Sequence, residues 1–270
     1  MSDQNDTRPG PATVSYHRAG AGEPILLVHG LGSHRHAFDP IIDDLAETRD
    51  VIAVDLPGFG ETPLPAGFAP SVAAYTDWVA GWLKTLDIER PHVAGNSMGG
   101  AIALELGRAG AASKVTAFSP AGFWATPGRI WAQNLVTAIR EGGRAGGDSL
   151  SRALGFAPVR AVAAAPFFGH PARLSPGAVR ADLAAMVAAP AFEAARDSFT
   201  GYAIAEAGTL ADIPVTVAWG TRDVLLTHTT QSRRARQVLP TATHIDLLGC
   251  GHVPFADDPA CCLDAIRKTR

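Results

Sequence analysis

The sequence predicts an α/β protein: a mostly parallel sheet covered by helices on both faces and interrupted once by a helical insertion. Three observations predict it. Continuous apolar runs such as Ile25-Leu26-Leu27-Val28 and Val51-Ile52-Ala53-Val54 read as strands buried on both faces, where an alternating pattern would mark a half-exposed sheet. Segments of helical period separate these runs, which is the order that a parallel sheet with crossover helices requires. From residue 119 to residue 210 the alternation stops, and a stretch rich in Ala, Gly, Pro and Arg carries helical patterns with no strand-like run between them.

The elements follow in order. Thr13-Val14-Ser15-Tyr16-His17 alternates like an edge strand, and the 25–28 run ends on His29-Gly30-Leu31-Gly32. Phe38, Ile41, Ile42 and Leu45 predict a helix over 38–47, and the 51–54 strand leads into the turn-rich loop Asp55-Leu56-Pro57-Gly58-Phe59-Gly60. Ser71 is placed to N-cap a helix through Tyr75, Val79, Trp82, Leu83 and Leu86. A strand at 91–94, a helix from Ala101 and a strand at 114–118 come next. In the insertion, helices are expected near 130–139, 150–154 and 178–187. The sheet resumes at 213–219, followed by a helix over 229–239, a strand over 243–248 and a last helix over 259–268.

Length and composition limit the function. At 270 residues the chain holds one substantial core plus an insertion, and 47% hydrophobic against 18% charged residues gives a globular protein. A net charge of −3, with no basic run interleaved with aromatics, argues against nucleic acid or an anionic membrane as partner. Cys250, Cys261 and Cys262 form no disulfide framework and fit a reducing compartment. The acidic start lacks the pattern of a signal peptide, and no stretch reaches about 18 apolar residues. The expectation is a cytoplasmic protein with a loose tail over 1–12, acting as a monomer or homodimer on a small molecule. No His/Cys/carboxylate cluster has ligand spacing, so neither a metal nor another cofactor is expected; the adjacent acids Asp43-Asp44 and Asp257-Asp258 read as solvated or as helix N-terminal charges.

The chemistry centres on Gly95-Asn96-Ser97-Met98-Gly99-Gly100, a G-x-S-x-G stretch entered from an apolar run and left through helix formers. A serine hydroxyl needs to be held exposed beside a base, and a sharp strand-to-helix turn does this. Small flanks are needed where strand, helix and strained residue crowd together. The helix start sets the Met98 amide where an oxyanion would develop, and the glycines at 30 and 32 free the Leu31 amide to serve as a second donor.

Of nine histidines, His252 in the glycine-rich loop Gly249-Cys250-Gly251-His252-Val253-Pro254 follows the last strand and can reach over the sheet rim. His17, His34, His36, His170, His228 and His244 suit surface or loop roles; His92 falls within a strand, and His29 suits a brace for its loop. Asp223, after Trp219-Gly220-Thr221-Arg222, is the acid preferred to orient His252, ahead of Asp246 and Asp257.

Together these stretches resemble the α/β-hydrolase fold superfamily over about residues 13–268. The resemblance implies an eight-stranded, mostly parallel sheet, a core over 13–118 and 211–270, and a helical cap over 119–210 inserted after strand six. It also implies Ser97, Asp223 and His252 as a triad, with the Leu31 and Met98 amides as the oxyanion hole. A serine at the elbow sets the chain apart from epoxide hydrolases and haloalkane dehalogenases of this fold, which carry aspartate there. The expected reaction is hydrolysis of a small to medium, mainly apolar carboxylic ester, lactones included. Two alternatives stand beside it. One is a carbon–carbon bond hydrolase of meta-cleavage products, whose anionic substrate would want a cation; Arg35 and the cap arginines are the candidates. The other is a non-catalytic receptor for a small molecule.

Val253 is expected to face the substrate. Phe123, Trp124, Trp131, Phe156, Phe167 and Phe168 are the aromatics from which a chamber or a cap core would be built, and Phe123, Trp124, Phe167 and Phe168 are taken as substrate-binding. Trp78, Trp82, Phe118 and Trp219 read as core. Charged cap residues read as solvated, and Cys250 as a small apolar filler.

Overall fold

In the computed structural model, which describes residues 4–5 and 14–270, alternate residues of each central strand feed two separate cores. In β3 (Glu23–Val28), Leu26 and Val28 face one side of the sheet while Ile25 and Leu27 face the other, as the two-residue period of a strand dictates. The first side is closed by α2 (Val72–Thr85) and α3 (Met98–Arg108), through residues such as Tyr75, Val79 and Ile102. The second is closed by α1 (Asp39–Ala46) and α9 (Pro259–Lys268), through Ile41, Leu45, Leu263 and Ile266. Burial on both sides is why the central strands read as unbroken apolar runs.

The remaining strands are β1 (Gln4–Asn5), β2 (Ser15–Ala19), β4 (Arg49–Val54), β5 (His92–Asn96), β6 (Lys114–Phe118), β7 (Val215–Gly220) and β8 (Thr243–Leu247). They form one eight-stranded sheet in the order β1-β2-β4-β3-β5-β6-β7-β8. The two short strands β1 and β2 pair antiparallel, β2 runs antiparallel to β4, and every other pairing is parallel. The expected tail over 1–12 lies outside the described residues except for Gln4–Asn5.

Strand order reverses between β3 and β5. The chain steps from β3 outward to β4, then returns to lay β5 on the other side of β3, with Val28 opposite Gly95. The loops leaving β3 and β5 therefore open away from each other, and the crevice between them is where an open α/β sheet binds its ligand. His29 to Gly32 leave one strand there and Ser97 leaves the other.

The insertion between β6 and β7 is helical. It holds α4 (Thr126–Ala153), α5 (Ala157–Ala164), α6 (Pro176–Ala188) and α7 (Phe192–Ser198). The helices expected at 130–139 and 150–154 are both parts of α4, which breaks at Gly147, where φ is 45°. α5 and α7 are too short for an apolar period to announce them, and α5 is alanine-rich with its two valines, Val159 and Val162, exposed. Leu154, Ala164, Leu174 and Val179 make a small core of their own within the insertion. The helix expected over 229–239 is a π-helical turn, His228–Ser232, that runs into α8 (Arg233–Val238).

Two arginines of the insertion are not solvated. Arg140 and Arg160 are buried because backbone carbonyls left open at element ends need donors. Arg140 donates from Nε to Met186 O at 3.1 Å and pairs with Glu193 at 2.6 Å; Arg160 donates to the carbonyls of Leu174 at 2.9 Å and Leu154 at 3.0 Å.

Candidate active site

The turn from β5 into α3 is built by close backbone approach. A Cβ on Gly95 would stand 2.1 Å from the Gly99 carbonyl oxygen, and one on Gly99 would stand 2.0 Å from that of Val28. Only glycine lets strand and helix meet at that distance. Between them Ser97 is held at φ 59°, ψ −118°, outside the helical and extended regions. Its backbone is tied down on both sides: Ser97 N–H donates to Phe118 O at 2.9 Å, and Ser97 O accepts from the amides of Ala101 and Ala121, each at 3.0 Å.

His252 and Asp223 arrive from two neighbouring strand ends. Asp223 is in the turn after β7, His252 in the loop after β8, and both side chains are buried. Asp223 Oδ2 lies 2.8 Å from His252 Nδ1. Asp223 Oδ1 accepts from the amides of Leu225 at 2.9 Å and Leu226 at 2.8 Å, which fixes the carboxylate. A carboxylate on Nδ1 selects the tautomer with its hydrogen there, leaving Nε2 as acceptor. Ser97 and His252 line the same cavity.

Asn96 belongs to this arrangement, and sequence reading passed over it. Its amide donates to Phe118 O at 3.1 Å and to His252 O at 2.8 Å, so the residue before Ser97 holds the backbone of the histidine. The available signal was a polar side chain at the last position of a buried strand.

Leu31 lines the cavity, and Met98 opens α3 directly after Ser97 with its side chain in the core. Among the described residues neither backbone amide has an acceptor within the protein. His29 braces this region: Nδ1 donates to Gly30 O at 2.8 Å, and Nε2 accepts from Leu56 N–H at 3.0 Å. Burial lowers its pKa to about 4, against an opposing pull from Asp55, so the ring is neutral and keeps both bonds.

The cavity has a volume of about 470 Å³ and runs from Ser97 beneath the insertion. Trp124, Phe167, Phe168 and Val253 line it. Phe123 does not: between Ala121 and Trp124, which line it, the Phe123 side chain is buried in the core, edge to face with Trp219 at 6.5 Å between ring centroids. Trp131 and Phe156 are 51% and 69% exposed and face outward. Trp78, Trp82, Phe118 and Trp219 lie in or against the cores, away from the cavity, and Cys250 is buried among apolar residues.

No arginine or lysine is among the residues lining the cavity. Arg35 is not among them and is held by the Asp55 carboxylate and by Glu61 Oε2 at 2.8 Å. The charged residues at the wall are Asp39 and Asp182, both with solvent-accessible side chains; His36 lies 3.1 Å from Asp39 and His34 lies 3.2 Å from Asp182. Of the paired acids, Asp43 and Asp44 are exposed and Asp258 caps α9, accepting from Cys261 N–H at 3.0 Å. Asp257 departs from expectation: its carboxylate is buried, because backbone amides from two loops converge on it.

Comparison with known proteins agrees with this architecture. The model of the Alpha/beta hydrolase family matches residues 25–260. An uncharacterised protein of Mycobacterium tuberculosis is 29% identical over 93% of this chain and 76% of its own length. The 2-hydroxy-6-oxo-2,4-heptadienoate hydrolase of Pseudomonas putida is 38% identical over 98 residues, 35% of this chain and 36% of that one. Among solved structures, an esterase from Thermogutta terrifontis superposes with a TM-score of 0.71 at 22% identity, covering 99% of this chain and 96% of the other. Among the described residues, no helix is long and apolar enough to cross a membrane.

Proposed function

The chain belongs to the alpha/beta hydrolase family, and on that premise we propose that it is a serine hydrolase of carboxylic esters with apolar acyl groups. The observation that carries this reading is the wall on which Ser97 and His252 open: mostly aliphatic and aromatic, with two solvent-accessible carboxylates and no lysine or arginine. An uncharged ester can shed its water into such a chamber, whereas an anion would lose its hydration with no cation in return.

In this reading Ser97 Oγ attacks the ester carbonyl while His252 Nε2 takes its proton. The oxyanion accepts from the Leu31 and Met98 amides, each donor lowering the barrier by about 3 to 4 kcal/mol. Collapse expels the alcohol, protonated by His252, and leaves an acyl group on Ser97. A water molecule, deprotonated by the same nitrogen, then releases the acid. Asp223 stays ionised throughout and stabilises the imidazolium.

A second reading, cleavage of a carbon–carbon bond, is favoured by the relative from Pseudomonas putida and opposed by the cation-free wall. One experiment separates the readings. Purified protein is offered a p-nitrophenyl ester series and a meta-cleavage product, with fluorophosphonate labelling of wild type and Ser97→Ala in parallel. Ester hydrolysis and labelling that both vanish in Ser97→Ala support the proposal. Faster loss of the dienoate than of any ester reverses the ranking, and neither turnover nor labelling of the wild type means a receptor.

A further inference from the structure

Asp257 follows His252 by five residues, and the proton-transfer scheme gives it no part. Its side chain is only 1% exposed. Three backbone amides donate to it: Gly169 to Oδ2 at 2.7 Å, Gly251 to Oδ2 at 2.8 Å and His170 to Oδ1 at 2.7 Å. The imidazole of His170 stands 3.6 Å from the same oxygen. Two of these amides belong to the loop between α5 and α6 in the insertion. The third is the amide of Gly251, the residue directly before His252.

Other contacts gather at this point. Val253 N–H donates to Phe167 O at 2.8 Å, and Arg222 donates to Gly169 O at 2.9 Å. Glycines from three segments touch backbone to backbone. A Cβ on Gly169 would stand 2.0 Å from Gly249 O, one on Gly220 2.0 Å from Gly251 O, and one on Gly251 2.6 Å from Gly169 N. Gly220 ends β7 and begins the turn that carries Asp223. The insertion, the acid turn and the histidine loop therefore meet at one small knot, and Asp257 is the carboxylate inside it.

A buried carboxylate is retained only where hydrogen bonds replace its lost hydration. Helix capping does not account for Asp257, since Asp258 already caps α9. Resting on the triad reading above, we propose that Asp257 is a positioning residue: it locks the 167–170 loop to the loop carrying His252, so that the seat of the insertion and the placing of the base are one equilibrium. The asparagine variant keeps one acceptor oxygen and turns an NH2 group toward amides that are themselves donors, so it breaks the lock with little change in volume.

The test uses full-length Asp257→Asn and Asp257→Glu, with Asp264→Asn, exposed on α9, as control. Rates on p-nitrophenyl acetate and octanoate are expressed per site finally labelled by a fluorophosphonate, and amide hydrogen exchange is followed in parallel. A base displaced by about 1 Å costs roughly 100-fold, so the asparagine variant is expected to lose kcat on that order for both esters, with KM changed less than about threefold. The short ester is the informative one, because an acetyl group needs no part of the deep chamber. Asp257→Glu recovers part of the loss, Asp264→Asn matches wild type, and the 167–170 and 249–253 amides lose protection together. A folded Asp257→Asn with kcat within about threefold of wild type, or with protection lost in only one loop, overturns the lock. If Asp257→Asn does not fold, Gly169→Ala opens the same knot with Asp257 intact, and wild-type kcat there overturns it as well. If wild type shows neither turnover nor labelling, the triad reading falls and the exchange experiment alone decides the lock.

Discussion

Asp223 divides its carboxylate between side chain and backbone: one oxygen lies 2.8 Å from His252 Nδ1, and the other accepts the amides of Leu225 and Leu226. The imidazole is thereby fixed in both orientation and tautomer. Asp223→Asn keeps the shape and can keep the backbone bonds, but the group facing Nδ1 becomes a donor and selects the other tautomer. The expected loss is about 10³- to 10⁴-fold in kcat on a p-nitrophenyl ester, with the far-ultraviolet circular dichroism unchanged. A loss under about tenfold would remove Asp223 from the proposed triad.

The elbow predicts a stability effect of a different kind. In Gly99→Ala the new methyl meets the carbonyl oxygens of Val28 at 2.0 Å and His29 at 2.5 Å, both backbone atoms that cannot rotate aside. Either β3 or α3 must shift, at an expected cost of about 3 kcal/mol or more in urea unfolding. Because Val28 and His29 lead into the Leu31 loop, activity falls further than stability alone accounts for. A variant as stable and as active as wild type would mean that the turn is looser than this geometry.

Acid sensitivity follows from two buried histidines that do not line the cavity. Burial lowers the pKa of His29 to about 4; burial, together with the charges of Arg49 and Lys114, lowers that of His92 to about 3. Unfolding returns each toward 6.5, so between those values the unfolded chain binds more protons and stability rises with pH. Stability is thus full above about pH 6.5 and lost as pH falls toward 4, by about 1.4 kcal/mol per pH unit for each histidine at mid-window. Urea unfolding at pH 7.5, 6 and 5 measures the slope. His92→Leu removes one contribution away from the cavity and is expected to lower the slope by about one proton; an unchanged slope would exclude His92 as a source.

Sheet and elbow were legible because their constraints are local. A run such as Ile25-Leu26-Leu27-Val28 shows double-sided burial, Ser71 caps α2 by accepting from Ala74 N–H at 3.1 Å, and glycines mark backbone contact around Ser97. Pairing Asp223 with His252 needed strand order as well, and the βα alternation supplied it. The insertion was harder to read. Its helices are alanine- and glycine-rich, so periodicity gave α4 in pieces and missed α5, and an aromatic such as Phe123 reads the same whether it faces a chamber or a core. Asp257 was hidden for another reason: its partners are backbone amides of residues 169, 170 and 251, which leave no side-chain signature.

The chamber itself predicts chain-length selectivity. Ala164, buried on α5, lines the cavity together with Leu154, Leu174 and Val179, with which it forms the small core of the insertion. An acyl chain seated on Ser97 gains about 0.8 kcal/mol for each methylene it buries along that wall, so wild type should improve in kcat/KM by roughly threefold or more per added carbon until the chamber is full. Ala164→Phe fills that part of the chamber. Acetate and butyrate esters should then be cleaved at close to the wild-type rate while octanoate falls by about tenfold or more, the limit moving to shorter chains. The measurement is kcat/KM across a p-nitrophenyl series from two to twelve carbons for both proteins. A uniform drop at every length would mean a distorted fold, and an unchanged profile would mean that the acyl group leaves Ser97 in another direction, toward the part of the wall that holds Asp39 and Asp182.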